Sequence, residues 1–217
     1  MERLSPWAMK SAHSRGRRYT ELEHPLRTCF QRDRDRVIHT SSFRRLEYKT
    51  QVFVNHEGDN YRTRLTHSLE VSTVGRSLGT LVGRRLDARE RLPEGIEPRD
   101  VGDCVAAACL AHDLGNPPFG HVGEKAIQEF FARHAGSDWF TGLAPREQQD
   151  LLRFEGNAQG FRIAAHVARP RSRHGLDLAS ATLGALMKYP CASTAVASDA
   201  GASRKKHGVH AAEDARF

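Results

Sequence analysis

The sequence predicts a mainly helical domain with one small β-hairpin near residues 51–64. Three observations carry this. Apolar residues recur at helical spacing from Leu65 to Arg85, a run of Val, Ala and Cys extends from Asp100 to Leu114, and Gly- and Pro-rich stretches separate these from an amphipathic segment that starts near His121. At 217 residues the chain suits one domain, on the rule of ~100–200 residues each.

Residues 1–28 lack sustained periodicity, and with Pro6, Pro25 and the run Ser14-Arg15-Gly16-Arg17-Arg18 they read as a flexible N-terminal arm. Arg32 to Thr50 reads as a helix with a weak point at Ser41-Ser42. Asp33 and Asp35 suit its first turn, Val37, Ile38, Phe43 and Leu46 form an apolar stripe, and Arg34 and Arg36 fall on a solvent-exposed face. Gln51 to Val54 is a short strand, Asn55 to Asn60 a turn in which Gly58 can take positive φ, and Tyr61 to Arg64 the returning strand.

The clearest helix is Leu65 to Arg85, capped by Thr63 or Thr66 and carrying Leu69, Val74, Leu78, Leu81 and Val82 on its apolar face. Pro93, Gly95 and Pro98 make a loop of Arg89 to Arg99. The Asp100 to Leu114 helix ends at Gly115, a natural C′ residue, and its small side chains allow close approach, which makes it central. Pro117 and Pro118 stop any continuation. The next helix opens at Gly120 or His121 and runs to about His134, with Ile127, Phe130 and Phe131 facing inward. After a loop from Gly136 to Pro145, Arg146 to Val167 is helical with an interruption at Gly156, and Leu178 to Tyr189 is a short last helix. Residues 29–190 then constitute the domain, and residues 191–217, rich in Ala, Ser, Gly, Lys and Arg, read as a low-complexity or truncated tail.

A net charge of +7 and a pI near 9.6 favour an anionic partner such as a nucleotide or single-stranded nucleic acid, although Arg far outnumbers Lys and a GC-rich coding sequence produces the same bias. Cys29, Cys104, Cys109 and Cys191 form no Cys-x-x-Cys pair, and the pattern fits a reducing compartment, with the cytoplasm as the expected location. No apolar run approaches the ~20 residues of a spanning helix, and the first residues lack the apolar centre of a secretory signal.

Chemistry concentrates between Ala106 and Glu124. One helix delivers His112 and Asp113 side by side, a Gly-Pro-Pro turn follows, and a second helix opens with His121 and Glu124, which share a face at i and i+3. Imidazole and carboxylate donors suit a divalent cation, Mg²⁺ or Mn²⁺ where oxygens dominate, and such a cation activates a phosphate ester toward water. With His67, the His112-Asp113 step would supply three ligands. His121 and Glu124 would then be acid/base groups, with Glu124 orienting the imidazole. A His-Asp dipeptide alone carries little; the whole string carries more.

Four motifs in order, QRDRDRVIHTSSFRRLEYKTQVF, GDNYRTRLTHSLEV, AHDLGNPPFGHVGEKAI and FEGNAQGFRI, resemble the bacterial deoxyguanosinetriphosphate triphosphohydrolases of the HD superfamily over about residues 24–190. The resemblance implies an all-α HD-domain helical bundle that hydrolyses a deoxynucleoside triphosphate to the deoxynucleoside and inorganic triphosphate. It implies His67, His112 and Asp113 as metal ligands and His121 and Glu124 as catalytic residues. Gln51 would read the deoxyribose 3′-hydroxyl, Arg64 would contact phosphate, and Asn157 would line the site. It also implies a homo-oligomer.

The chain departs from that pattern in one respect. The family closes its metal site with a further Asp on a later helix, and the candidates here, Asp177, Asp199 and Asp214, lack that context, so the domain is expected to be incomplete at its C-terminus. Two alternatives stay open at this stage: a catalytically inactive fragment that binds nucleotide or nucleic acid, and another HD-type nucleotide phosphohydrolase.

Overall fold

A computed structural model describes residues 26–49, 62–168, 175–196 and 206–213, and it is mostly helical. The helices are α1 (Cys29–Ile38), α2 (Ser41–Arg44), α3 (Arg64–Asp87), α4 (Pro98–Ala111), α5 (His121–Arg133), α6 (Asp138–Thr141), α7 (Pro145–Leu152), α8 (Gly156–Arg162) and α9 (Ser180–Leu186). No strand forms among the described residues. The expected hairpin lies outside them for residues 51–61, and its last member, Arg64, is the first residue of α3 rather than part of a strand.

The break in the first helical stretch falls at His39-Thr40, just before the expected Ser41-Ser42. Thr40 accepts a hydrogen bond from Phe43 N (3.1 Å) and restarts the chain as α2. α1 itself begins earlier than expected, because Thr28 and Gln31 form a capping box ahead of Cys29. That register puts Asp33 in mid-helix, fully buried, where it accepts from Ala179 N (2.9 Å) and Thr182 Oγ1 (2.8 Å) and fixes the start of α9. Arg36, expected on an exposed face, is instead half-buried and pairs with Asp33 (3.2 Å) and Asp177 (3.5 Å).

Thr63 caps α3 by accepting from Thr66 N (3.1 Å), but the face that α3 buries is not the expected one. Val74, Leu78, Leu81 and Val82 are 47–60% exposed, and Leu69 is 39% exposed. The buried face is Ser68, Ser72, Gly75, Gly79 and Gly83. Small side chains win here because α4 lies almost against the α3 backbone. A Cβ at Gly79 would come within 3.0 Å of Gly102 Cα, and one at Gly83 within 2.5 Å of Pro98 O. Ser72 adds a hydrogen bond to Ala106 O (2.9 Å).

The largest core cluster surrounds the far side of α4 and includes Val37, Phe43, Leu46, Leu110, Leu114, Phe161, Leu176 and Leu178. Phe130 on α5, expected to face inward, is 49% exposed, whereas Ile127 and Phe131 are half-buried. The stretch read as a tail also departs from expectation where it is described. Ala192, Val209 and Ala211 are buried in that same core cluster, and an isolated parallel bridge joins Ala192 to Val209. Asp150 on α7 holds this stretch, accepting from Ser193 Oγ (2.6 Å), Ala211 N (2.7 Å) and Ala212 N (3.0 Å). Among the described residues, no helix is long and apolar enough to cross a membrane.

Candidate metal centre and active site

The close α3–α4 contact brings the first turn of one helix to the C-terminal end of the other. His67 lies one turn into α3, and His112 is the C-cap of α4. Their rings meet edge to face with centroids 5.3 Å apart. His67, His112 and Asp113 each offer one donor atom, and these atoms all lie within 4.8 Å of one another.

The donor set fits a divalent cation. The Nδ1–H of His112 donates to Cys109 O (2.7 Å), an assignment that fixes the tautomer and leaves the Nε2 lone pair facing inward, 3.3 Å from Asp113 Oδ1. Burial, and then the neighbouring His112, hold the His67 pKa below its usual value, so this imidazole is kept neutral, the form that ligates. Asp113 is 4% exposed.

Arg64 occupies the other side of Asp113. Its Nη1 donates to Oδ2 at 2.8 Å, its side chain is 7% exposed, and its Nε has no hydrogen-bond partner. Gly120 holds φ at +55°, which favours glycine, and a Cβ there would lie 2.9 Å from Arg64 Nη2. Gly120 is the N-cap of α5. Arg64 therefore touches both the ligand cluster and the residue preceding His121.

Asn116 forms a second link. Its Nδ2 donates to Asp113 Oδ1 and its carbonyl accepts from Lys49 Nζ (2.8 Å), while its Oδ1 lies beside Gly156 at the start of α8. Burial, reinforced by the Arg64 charge, lowers the Lys49 pKa. Glu124 is buried at 6% exposure, and its Oε1 accepts from Gly156 N at 2.9 Å. Its Oε2 lies 3.7 Å from Lys206 Nζ, which is 2.7 Å from Glu155 Oε2. Glu155 Oε1 accepts from Asn157 N and Asn157 Nδ2.

These contacts arrange the sequence-derived candidates in two groups. His67, His112, Asp113 and Arg64 form one. Glu124 and Asn157 belong to the other, with Glu155 and Lys206 between them. His121 stands exposed at the open end of α5. The Glu124 carboxylate is held by Gly156 and Lys206, and no hydrogen bond joins it to His121. Gln51 lies outside the described residues, as do Asp199 and Asp214. Asp177, the remaining candidate for a fourth ligand, points to Arg36 and is not in the donor cluster.

Lys49, Asn116, Glu155 and Lys206 escaped the sequence reading. Asn116 had a usable signal, lying three residues after Asp113 in a turn that Pro117 and Pro118 force. Lys206 had none, since its carboxylate partners, Glu124 and Glu155, are more than 50 positions away.

The HD domain model matches residues 64–179, more than half of the chain and a span that includes the whole donor cluster, and the chain belongs to the HD domain family. Within that family it is similar to deoxyguanosinetriphosphate triphosphohydrolase-like proteins. That of Pseudomonas aeruginosa is 48% identical over 187 residues, covering 86% of this chain and 42% of the relative. That of Synechocystis sp. is 46% identical over 208 residues (93% and 47%), and that of Nitrosomonas europaea 41% over 215 residues (99% and 49%). The chain thus spans a little under half the length of these relatives.

Proposed function

We propose that this chain carries the catalytic centre of a metal-dependent dNTP triphosphohydrolase that acts on a dGTP-like substrate and releases the deoxynucleoside and inorganic triphosphate. The observation that carries the reading is the His67, His112 and Asp113 donor cluster set against the buried Arg64 guanidinium. The names of the relatives supply the substrate class. We assign His67, His112 and Asp113 to a divalent cation, Mg²⁺ or Mn²⁺, which when bound lends its charge to a phosphoryl oxygen and an attacking water.

The remaining work falls to side chains. Release of triphosphate in one piece requires water to attack the α-phosphorus while the bond from that phosphorus to the 5′ oxygen breaks. The water loses a proton and the 5′ oxygen gains one. We assign this proton transfer to His121 and Glu124 at the start of α5. Arg64, with an unpartnered Nε, has donors to spare for triphosphate oxygens. Gln51 is assigned to the 3′-hydroxyl and Asn157 to the wall of the site, because an amide that reads a hydroxyl discriminates strongly against substrates that present it wrongly.

Incubation with each of the four dNTPs in Mn²⁺ or Mg²⁺, with products separated by anion exchange, tests the reading. Intact triphosphate and deoxynucleoside should appear in equal amounts. Orthophosphate or pyrophosphate as the first product would place the broken bond elsewhere and overturn it.

A further inference from the structure

Two acidic side chains from different helices meet one cation beside the proposed site. Glu124 on α5 and Glu155, the N-cap of α8, are 6% and 5% exposed. One oxygen of each is already engaged, with Gly156 N for Glu124 and Asn157 for Glu155. The other oxygen of each faces Lys206 Nζ, at 3.7 Å and 2.7 Å respectively.

Lys206 is anchored independently of these contacts. Its carbonyl accepts from Cys191 Sγ (3.1 Å), Gly208 N donates to Cys191 O (3.0 Å), and Asp150 grips the backbone at Ala211 and Ala212. The ammonium therefore arrives on a fixed strap rather than on a free surface chain. Two buried carboxylates this close to a single cation would repel without it, and one would take a proton or swing toward water.

We infer that Lys206 is a positioning residue for Glu124: it holds that carboxylate docked against the start of α8, in the place from which it serves proton transfer. The inference rests on the hydrolase reading above for its kinetic consequence but not for its electrostatic one. Lys206 acts through Glu124 and need not touch substrate. Glu155 shares the cation and sets how much of its charge Glu124 receives. Burial lowers the Lys206 pKa, and the hydrogen bond and charge of Glu155 outweigh it and raise the value overall, in keeping with an ammonium committed to these partners.

The test compares the full chain with Lys206→Met, Lys206→Gln, Lys206→Arg and the double variant Lys206→Met/Glu155→Gln. Loss of the cation should reduce kcat by about tenfold to a hundredfold with KM changed less than about threefold. Lys206→Arg should retain most activity, and Glu155→Gln should restore much of what Lys206→Met removes, because a single carboxylate no longer needs the shared cation. A rise in KM at constant kcat would make Lys206 a substrate contact, and a fall in kcat without rescue by Glu155→Gln would make it structural; either overturns the inference. Lys206→Gln serves if Lys206→Met fails to fold.

A second readout needs no turnover. The Gly156 amide ¹H–¹⁵N resonance, which reports the hydrogen bond this group donates to Glu124 Oε1, should move in Lys206→Met and return toward its parent position in Lys206→Met/Glu155→Gln. If the parent releases no triphosphate but this shift appears, the hydrolase reading falls and the positioning of Glu124 stands. An unmoved Gly156 resonance overturns the positioning whatever the activity.

Discussion

Asp113 and Asp150 are both buried carboxylates, 4% and 7% exposed, yet the chain surrounds them with opposite kinds of donor. Asp150 is held by a hydroxyl and two backbone N–H groups, all within 3.0 Å, with His210 Nδ1 at 3.7 Å, an ion-pair rather than a hydrogen-bond distance. Burial by itself would raise its pKa, but His210, Ser193 and the N–H groups of Ala212 and Ala211 outweigh that and bring it down to about 2. Asp113 is held by an arginine and an amide, side chains that can rotate away, with the His112 imidazole 3.3 Å off, and Arg64 keeps one donor unpartnered. A carboxylate tied to backbone is a clasp that nothing can replace. One tied to cationic side chains can exchange those partners for an ion and an anionic substrate.

The sharpest way to break this distinction is to neutralise each carboxylate. Asp113→Asn should abolish stoichiometric Mn²⁺ binding and reduce triphosphate release by about 10²–10³-fold, because a ligand and a charge are lost together. Asp150→Asn should leave Mn²⁺ binding intact and instead cost about 3 kcal/mol of stability in urea, the magnitude expected when a buried, multiply hydrogen-bonded carboxylate is disrupted. If Asp113→Asn melts the protein as Asp150→Asn does while still holding Mn²⁺, the two sites are the same kind of structure and the contrast fails.

The clasp has a pH signature of its own. His207 lies beside it, 2% exposed, and burial, followed by the charge of His210, pushes its pKa down to about 4 from 6.5. Between these values the unfolded chain binds a proton that the folded chain refuses, so stability falls as the pH drops from about 6.5 to about 4, by at most roughly 3 kcal/mol. Asp150 adds a second loss lower down. Its folded pKa lies below the unfolded value of 3.8, so its contribution is present above that pH and disappears as the pH falls toward about 2, with a ceiling of about 2 kcal/mol. Urea midpoints measured from pH 7 to 3 should decline through the upper window, and His207→Phe should flatten that part of the curve. A curve flat from 6.5 to 4 in the parent chain would show that His207 is not kept neutral by the fold.

The two regions also differ in how far they could be read from sequence. His67, His112 and Asp113 are legible because helix ends announce themselves. Thr63 caps one, Gly115 and the two prolines close the other, and each candidate ligand is tied to such a boundary. Asp150 and its partners are not, since a carboxylate that accepts from backbone N–H groups about 60 residues away requires no particular residue at the far end. Residues 206–213 therefore looked like part of a tail, although Val209 and Ala211 belong to the core. For the same reason Glu124 stands out in the sequence and Lys206 does not.

The face of α3 was misread for a different reason. Two stripes with helical spacing run along it, and hydropathy alone points to the apolar one, Val74, Leu78, Leu81 and Val82, as buried. The stripe of Ser68, Ser72, Gly75, Gly79 and Gly83 was equally periodic, and close approach of α4 selects it, because a closer backbone gains contacts along the whole length of both helices. Gly79→Val, which forces a branched side chain against Gly102 and Val105, should cost at least about 2 kcal/mol, and it should weaken Mn²⁺ binding as well by displacing His67 from His112. Leu78→Lys, one residue away on the 58%-exposed side, should stay within about 0.5 kcal/mol and leave Mn²⁺ affinity unchanged. A penalty above about 1.5 kcal/mol at Leu78 would mean that this stripe is covered in solution, and the exposed side of α3 would then count as an interface rather than as solvated surface.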